Sequence, residues 1–175
     1  ADLWAQIEAA HNRGEPDVER ALAEKLPEPE RSQFLQGLEN QEKDAQPTGG
    51  GPFIGINGAA CAYSNFADAM AAASSGDTLY IAPISYLGRI GTITKNLTFQ
   101  PASYDCTTYA GSGVTIDGND AIISYGGVAE ISNGVSVTFR NLVLTNGTAT
   151  WGGILYAGSN ATVNLFYAGS DLPFA

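Results

Sequence analysis

The sequence predicts an all-β fold, a short parallel β-helix solenoid with an N-terminal helical arm and a capping helix at about 65–75. The first observation is a group of three apolar segments separated by turn-forming pairs, which is typical of short strands joined by corners. The segments lie at 128–131, 135–139 and 142–145. Stacked strands of this kind direct their backbone groups along the stack, so further strands, a cap or another molecule must pair with them.

The second observation is a pattern that occurs twice: a basic residue, Asn, Leu, any residue and an apolar residue. It begins at Lys95 and again at Arg140, and 140 minus 95 gives a separation of 45 residues. Two solenoid turns of about 22 residues would explain this separation. The third observation is the strand length, which is too short for a sandwich. An antiparallel β-sandwich stays open as the alternative, because Asn133-Gly134 and Asn146-Gly147 are also typical of hairpin turns.

Residues 1–46 are predicted to form a helical arm of three short helices. Apolar residues recur at helical spacing from Leu3 to Ala10, and again from Val18 to Leu26. These stripes are too narrow for an independent core, because so few apolar residues cannot offset the ordering entropy of the segment. We therefore expect the arm to lie against another protein surface. The residues expected at that interface are Trp4, Ile7, Phe34 and Leu35.

Residues 47–60 are predicted as a Gly/Pro linker that leads into a β domain at 61–175. Within that domain a helix is expected at 66–73, capped by Ser64 or Asn65 and ended by Gly76. The other predicted strands lie at 78–82, 91–93, 97–100, 114–116, 121–124, 154–156 and 161–165.

The charge of the chain excludes several partners. It has 18 acidic and 8 basic residues, and residues 1–46 hold 11 of the acids and 5 of the bases. Nucleic acid and anionic membranes are disfavoured, because binding to them depends on Lys and Arg. No uninterrupted apolar stretch approaches the roughly 20 residues that cross a bilayer, so no membrane span is expected.

Cys61 and Cys106 allow one pairing, and neither lies in a metal-binding motif. A disulfide in an oxidising compartment is favoured, and two buried free thiols are the alternative. A secreted or cell-surface location is therefore expected. The start at Ala1 suits cleavage of an export signal, and a shortened chain would start in the same way.

Residues 61–165 resemble the N-terminal part of the pectin-lyase-like, right-handed parallel β-helix proteins of bacterial and algal surfaces. The resemblance covers about 105 of 175 residues. It rests on the alanine-rich helix that leads into Gly76-Asp77-Thr78-Leu79, and on Gly152-Gly153-Ile154, which is similar to a repeat of polymorphic outer-membrane proteins and adhesins. It implies that the helix caps the first turn of the solenoid, with Phe66 and Met70 as the side chains that plug it.

Enzymes of that family act on acidic polysaccharides with aspartates, a basic residue and often calcium. Asp117, Asp120 and Glu130 are weak candidates for such a catalytic or metal cluster, and a role in turns is favoured for the two aspartates. Few basic residues accompany them, and the single histidine, His11, is expected at a surface or interface of the arm. We therefore expect no catalytic residue, no metal site and no cofactor.

Three sequons begin at Asn96, Asn146 and Asn160, which are possible glycosylation sites, with chance occurrence as the plainer explanation. Trp151 suits stacking on a sugar or partner, or packing under its own loop. The apolar tail with Phe166, Tyr167 and Phe174 is expected either to fold over the last strands or to add to a neighbouring molecule.

These features predict a non-enzymatic, extracellular structural or adhesive subunit. The β-helix would be a rigid spacer, and its ends would dock to other protein subunits, identical or different, with a glycan as a further possible partner. The alternative is a carbohydrate-binding or polysaccharide lyase- or hydrolase-like module that acts on acidic glycans. A third hypothesis is that the chain is the first part of a longer adhesin.

Overall fold

A computed structural model describes residues 2–42, 51–119 and 123–167. Its helices are α1 Leu3–Asn12, α2 Pro16–Ala23, α3 Glu30–Glu42 and α4 Phe66–Ala72. The Asp2 side chain accepts a hydrogen bond from the first turn of α1, and Pro16 starts α2, where a missing N–H costs nothing. None of these helices is long and apolar enough to cross a membrane, in agreement with the prediction of no membrane span.

The strands of the described residues are short. They are β1 Ile54–Ile56, β2 Thr78–Ile81, β3 Ile84–Leu87, β4 Gly91–Ile93, β5 Leu97–Pro101, β6 Val114–Asp117, β7 Ile123–Tyr125, β8 Ala129–Ile131, β9 Ser136–Arg140, β10 Val143–Thr145, β11 Ala149–Trp151, β12 Leu155–Ala157 and β13 Thr162–Phe166. Sequence patterns did not predict β1, β3 and β11.

The strands form four small sheets, with the orders β1-β2-β5-β9-β13, β10-β6-β3, β11-β7 and β12-β8-β4. The β1–β2 pair is antiparallel, and the other strand pairs of the described residues are parallel. From β2 onward, consecutive strands belong to different sheets, and a later pass of the chain returns to each sheet. Strands that pair are therefore far apart in sequence.

The predicted fold class, an all-β parallel β-helix solenoid, is wrong. The described residues form a mixed α/β structure with 24% helix and 33% strand, and their strands are divided among small sheets without forming a single solenoid. The same residues form no antiparallel β-sandwich either, because parallel pairing dominates among their strands. The helices account for much of the difference, since they bury their side chains against the strands as part of the same fold.

Strand register also corrects the predicted repeat of 45 residues. Leu97 pairs with Val137 in the sheet, so the observed separation is 137 minus 97, or 40 residues. Leu142, which the repeated pattern aligns with Leu97, lies just before β10, and β10 pairs with β6 in another sheet. The two copies of the pattern therefore do not stack on each other.

The larger hydrophobic core lies between the strands and α4. Phe66 is buried there, with its ring edge-on to Tyr86 at a centroid distance of 4.8 Å. Met70 is partly buried against the same core. Two contacts fix the ends of α4: the Asn65 side chain accepts from the Asp68 N–H, and the Lys95 ammonium donates to the last carbonyls of the helix.

The predicted linker at 47–60 contains a strand. Phe53 and Ile54 are buried, and β1 pairs along its length with β2. Residues 47–50 of that linker lie outside the described residues. The β domain therefore begins earlier in the chain than its Gly and Pro content indicates.

The disulfide prediction is confirmed. Cys61 and Cys106 are bonded, with their Cα atoms 5.1 Å apart and 45 residues between them in sequence. Gly55 lies against this bridge, and a Cβ at that position would come within 2.9 Å of the Cys106 Cβ and 2.2 Å of the Ala59 carbonyl. The bond therefore ties the loop after β5 to the segment that follows β1.

The helical arm packs on β7. Gly37 of α3 lies against Ser124, whose hydroxyl donates to the Phe34 carbonyl at 2.9 Å. A Cβ at Gly37 would lie 2.5 Å from the Ser124 Oγ, so glycine allows this close approach. A second hydrophobic cluster fills the junction of arm and strands; its members include Leu3, Trp4, Ile7, Leu22, Ala23, Leu26, Phe34, Leu35, Leu38, Tyr125, Trp151 and Tyr156.

This cluster contains the four arm residues that were predicted to lie at an interface. Trp4, Ile7, Phe34 and Leu35 pack in it with residues of their own chain. The physical expectation behind that prediction, that the arm needs a surface to lie against, is met within the molecule. These side chains are therefore part of a core.

Candidate functional site

A largely buried group of charged side chains joins the arm to the strands. His11 lies in the last turn of α1, Glu19 lies on α2 and Glu130 lies on β8. The Nδ1 of His11 lies 3.2 Å from Oε2 of Glu19, and its Nε2 is hydrogen-bonded to Oε1 of Glu130. Both carboxylates are only 5% exposed. We call these three residues, with Tyr125 beneath the imidazole ring, the His11 cluster.

A tight turn between α1 and α2 brings His11 and Glu19 together. Gly14 adopts a φ of 68°, in the left-handed region that favours glycine, and its N–H donates to the His11 carbonyl. The Glu15 N–H donates to the Ala10 carbonyl in the same turn, and Pro16 then starts the next helix. The chain thereby reverses and places Glu19 beside His11.

Aromatic rings orient the imidazole. His11 stacks on Tyr125 with ring centroids 3.6 Å apart and planes 11° apart. Tyr125 also stacks on Trp151, with ring centroids 5.0 Å apart. Tyr156 meets the His11 ring edge-on, at a centroid distance of 5.8 Å. Trp151 packs against Trp4 and Phe34 as well, so it lies under the arm. The imidazole therefore has a fixed plane, with each nitrogen directed at one carboxylate.

The two carboxylates keep His11 charged. Burial of the ring disfavours the imidazolium, but hydrogen bonds and charge from Glu130 and Glu19 outweigh burial and raise the pKa of His11 from 6.5 to about 9. Burial also raises the pKa of the Tyr125 phenol, and the charge of Glu19 raises it further. Burial raises the pKa of Tyr156 to about 12. At neutral pH the imidazole is therefore a cation, and the phenols of Tyr125 and of the neighbouring Tyr156 are neutral.

We expect this arrangement to make stability depend on pH. Because the folded-state pKa of His11 is raised, its contribution is fully present below pH 6.5 and is lost as pH rises through about 9. Urea unfolding at pH 6 and at pH 9.5 measures the loss. His11 is the single histidine of the chain, so a His11→Gln variant should show a much smaller difference between the two conditions. An equal difference in that variant would contradict the assignment.

A pocket of about 580 Å³ opens beside the His11 cluster. Residues 11–16 form one wall, and residues 130–133, Tyr156 and Gly158 form the other. The Tyr156 hydroxyl donates to Oδ1 of Asn12 at 3.2 Å, and the Asn133 amide donates to the Asn12 carbonyl. The pocket therefore depends on the arm being in place, since arm and strands each supply half of it.

A second feature is an exposed edge that four sheets share. In the part of the chain that the structure describes, β10, β11, β12 and β13 are each the outermost strand of a sheet. All four come from residues 143–166. Val143, Leu165 and Phe166 are 51%, 53% and 56% exposed. We call these strands and their exposed side chains the C-terminal strand edge.

The predicted carboxylate cluster does not form around Asp117. That side chain accepts the Asn119 N–H at 2.7 Å and the Asn146 amide at 2.9 Å, which is the turn role. Asp120 lies outside the described residues, and Glu130 belongs to another sheet and to the His11 cluster. Within the described residues, no group of three or more His, Cys, Asp or Glu side chains is arranged to hold a metal ion.

The three predicted glycosylation sites lie at exposed positions. The Asn96 side chain accepts the Ser136 N–H at 2.8 Å, and Asn146 donates to Asp117. Asn146 and Asn160 have φ values of 50° and 59°, so each occupies a corner that Asn tolerates better than most residues. Their glycosylation stays a prediction.

The predicted tail residues lie partly within the structure. Phe166 ends β13, with the Arg140 guanidinium 5.8 Å from its ring centroid, and Tyr167 is 45% exposed. Phe174 lies outside the described residues. The exposed part of the tail therefore continues the C-terminal strand edge.

Sequence patterns missed the partners of His11. The predicted apolar stripe of α2 ran through Val18 and Leu22, but Val18 is 44% exposed, and Glu19 and Ala23 are buried. The buried face of α2 therefore carries Glu19, which bonds to His11. One signal was available: His11 follows Ile7 by four residues, so it lies on the apolar face of α1, where a charged ring needs an acidic partner.

Comparisons with protein-family models, with curated proteins and with solved structures found no match to this chain. The resemblance to pectin-lyase-like proteins therefore stays a prediction, and the solenoid that it implies is not the fold of this protein. The functional argument depends on the His11 cluster, its pocket and the C-terminal strand edge.

Proposed function

We propose that this protein is a non-enzymatic structural or adhesive subunit that assembles with other subunits outside the cytosol. The observation that carries the proposal is the C-terminal strand edge, where each of four sheets ends in a strand from residues 143–166. The partner we propose is a second copy of the chain, which adds its own strands or apolar surface to this edge. The arm completes the fold of its own chain, and contact of its residues with another subunit stays a prediction.

Edge strands carry unpaired backbone N–H and C=O groups and therefore attract further strands. Soluble proteins protect such edges with charged residues, especially lysine, or with proline. Residues 141–167 contain no charged residue and no proline. With apolar side chains half exposed along the same strands, the edge lacks the usual protection against pairing. These properties support assembly through this surface.

The disulfide supports a location outside the reducing cytosol, because such bonds persist in oxidising compartments. The net charge of −10 argues against a nucleic-acid partner. A secreted or cell-surface subunit is consistent with both properties.

Light scattering of the full chain tests the proposal. We expect the apparent mass to rise above the 18.2 kDa of one chain as the protein is concentrated. A Val143→Lys and Leu165→Lys double variant should stay at the mass of one chain, because two charges oppose pairing along the edge. Gln36→Lys with Glu39→Lys on the exposed face of α3 is the control and should associate as the unaltered protein does. A monomer at all concentrations, or equal association of the edge variant, would refute the proposal.

No specific observation favours the alternative, which is an enzyme or binding module for acidic glycans. The predicted basic residues hold structural contacts: Arg89 donates to the carbonyls of Tyr125 and Gly126, and Lys95 donates to the end of α4. Arg140 lies over the Phe166 ring. These cations are spread over separate parts of the fold, whereas a polyuronate site needs several of them together.

A further inference from the structure

The pocket beside the His11 cluster has the size of a small-molecule site. Its volume of about 580 Å³ lies within the range of roughly 300–1,000 Å³ that is usual for such sites. Its walls come from the α1–α2 turn on one side and from the ends of β8 and β12 on the other. Hydrogen bonds from Tyr156 and Asn133 to Asn12 hold the two walls together. The pocket is therefore fixed before any ligand binds.

The charges around the pocket argue against an anionic ligand. The charged side chains of its lining are His11, Arg13, Glu15, Glu19 and Glu130, two positive and three negative. His11 bonds to Glu19 and Glu130, and the Arg13 guanidinium bonds to Glu15 at 2.8 Å. Both cations therefore already face carboxylates, and the lining carries a net charge of one negative. A phosphate or uronate would meet repulsion here.

The remaining lining groups suit a ligand with several hydroxyl groups. The lining includes the hydroxyl side chains of Thr92 and Ser132, the carboxamides of Asn12 and Asn133, and the apolar side chain of Leu38. The Thr92 hydroxyl donates to Oε2 of Glu130 at 3.3 Å, and its own oxygen can still accept a hydrogen bond from a ligand. Neutral groups that both donate and accept match such a lining, because each can satisfy a donor and an acceptor at once.

We propose that this pocket binds a neutral mono- or disaccharide, held by hydrogen bonds to Thr92, Ser132 and Asn12. The proposal goes beyond assembly through the C-terminal strand edge, which involves other residues. An adhesive subunit with such a pocket would attach to uncharged glycans. The pocket would bind without cleaving, because the carboxylates are engaged by a charged histidine.

Titration of the full chain with single sugars, followed by amide NMR spectra, tests this proposal. The probes are glucose, galactose, N-acetylglucosamine, lactose and cellobiose, with galacturonate as the anionic comparison. We expect at least one neutral sugar at tens of millimolar to shift the amides of residues 12–15 and 131–133, and galacturonate to shift them less. No shift with any neutral sugar, or stronger binding of galacturonate, would overturn the proposal.

A conservative variant locates the binding. Thr92→Val keeps the shape of the side chain and removes its hydroxyl, so we expect the affinity for the bound sugar to fall about 5-fold, as for the loss of one hydrogen bond. Thr150→Val makes the same change at an exposed position of β11 outside the pocket and should leave affinity unchanged. Equal affinity of the two variants would place the sugar elsewhere and refute the site. The mass of the chain in light scattering reports separately on assembly.

Discussion

Replacement of His11 by phenylalanine is expected to lower the free energy of unfolding by about 3 kcal/mol at pH 6, the usual cost of removing one partner from a buried ion pair. The imidazolium lies between two carboxylates that are each 5% exposed, and without it they face each other with no counter-charge. Phenylalanine preserves the stacking surface toward Tyr125, so the change isolates the charge. Urea unfolding of the variant and the unaltered protein measures the difference.

Two controls separate the charge from other effects. Adding Glu19→Gln and Glu130→Gln to His11→Phe should recover a large part of the loss, because the buried charges are removed together. Arg13→Ala lies two residues away and breaks an ion pair with Glu15 that is exposed to solvent, so we expect no measurable change. If His11→Phe is as stable as Arg13→Ala, the cluster does not hold the arm.

Removal of the disulfide is expected to cost about 4 kcal/mol, because the bond closes a loop between positions 45 residues apart and so restricts the unfolded chain. The variant is Cys61→Ala with Cys106→Ala, since alanine suits the buried position of Cys106. Urea unfolding at pH 6 measures the change.

Reduction provides the matched control for that variant. A reducing agent should destabilise the unaltered protein toward the level of the double variant and should leave the variant itself unchanged. A variant that unfolds at the same urea concentration as the oxidised protein would show that the bond does not restrain the unfolded chain.

Local elements of the fold could be predicted from the sequence. The helix at α4 follows from Asn65, Asp68 and the alanine run, and the arm helices follow from apolar spacing and Pro16. The disulfide follows from a single possible pairing. The helices depend on residues that are neighbours in sequence, and the disulfide depends on there being only two cysteines to pair.

Long-range features could not be predicted, because they depend on where separate segments meet. The register that pairs Leu97 with Val137 is set by packing across the sheets, and the local pattern around Leu97 suggested a different partner. The division into four sheets depends on corner geometry at many positions. Apolar patterns alone therefore favoured a simpler stack than the chain forms.

The candidate site was missed for the same reason. Glu130 was considered beside Asp117 because it could lie on the neighbouring turn of a solenoid. In the structure Asp117 accepts a hydrogen bond within a turn, and Glu130 bonds to His11. The spacing of 119 residues between His11 and Glu130 gives no signal in a single sequence. What could be inferred was that the arm needs a surface, and the structure identifies that surface as β7 and its neighbours.

The separation between the arm and its binding surface has a consequence for biosynthesis. His11 reaches Glu130 across 119 positions, and Tyr156 reaches Glu8 across 148. During translation the first helices leave the ribosome long before those strands exist, and their apolar faces stay uncovered in the meantime. The nascent N-terminus is therefore the segment that we expect chaperones to occupy until the last strands have been synthesised.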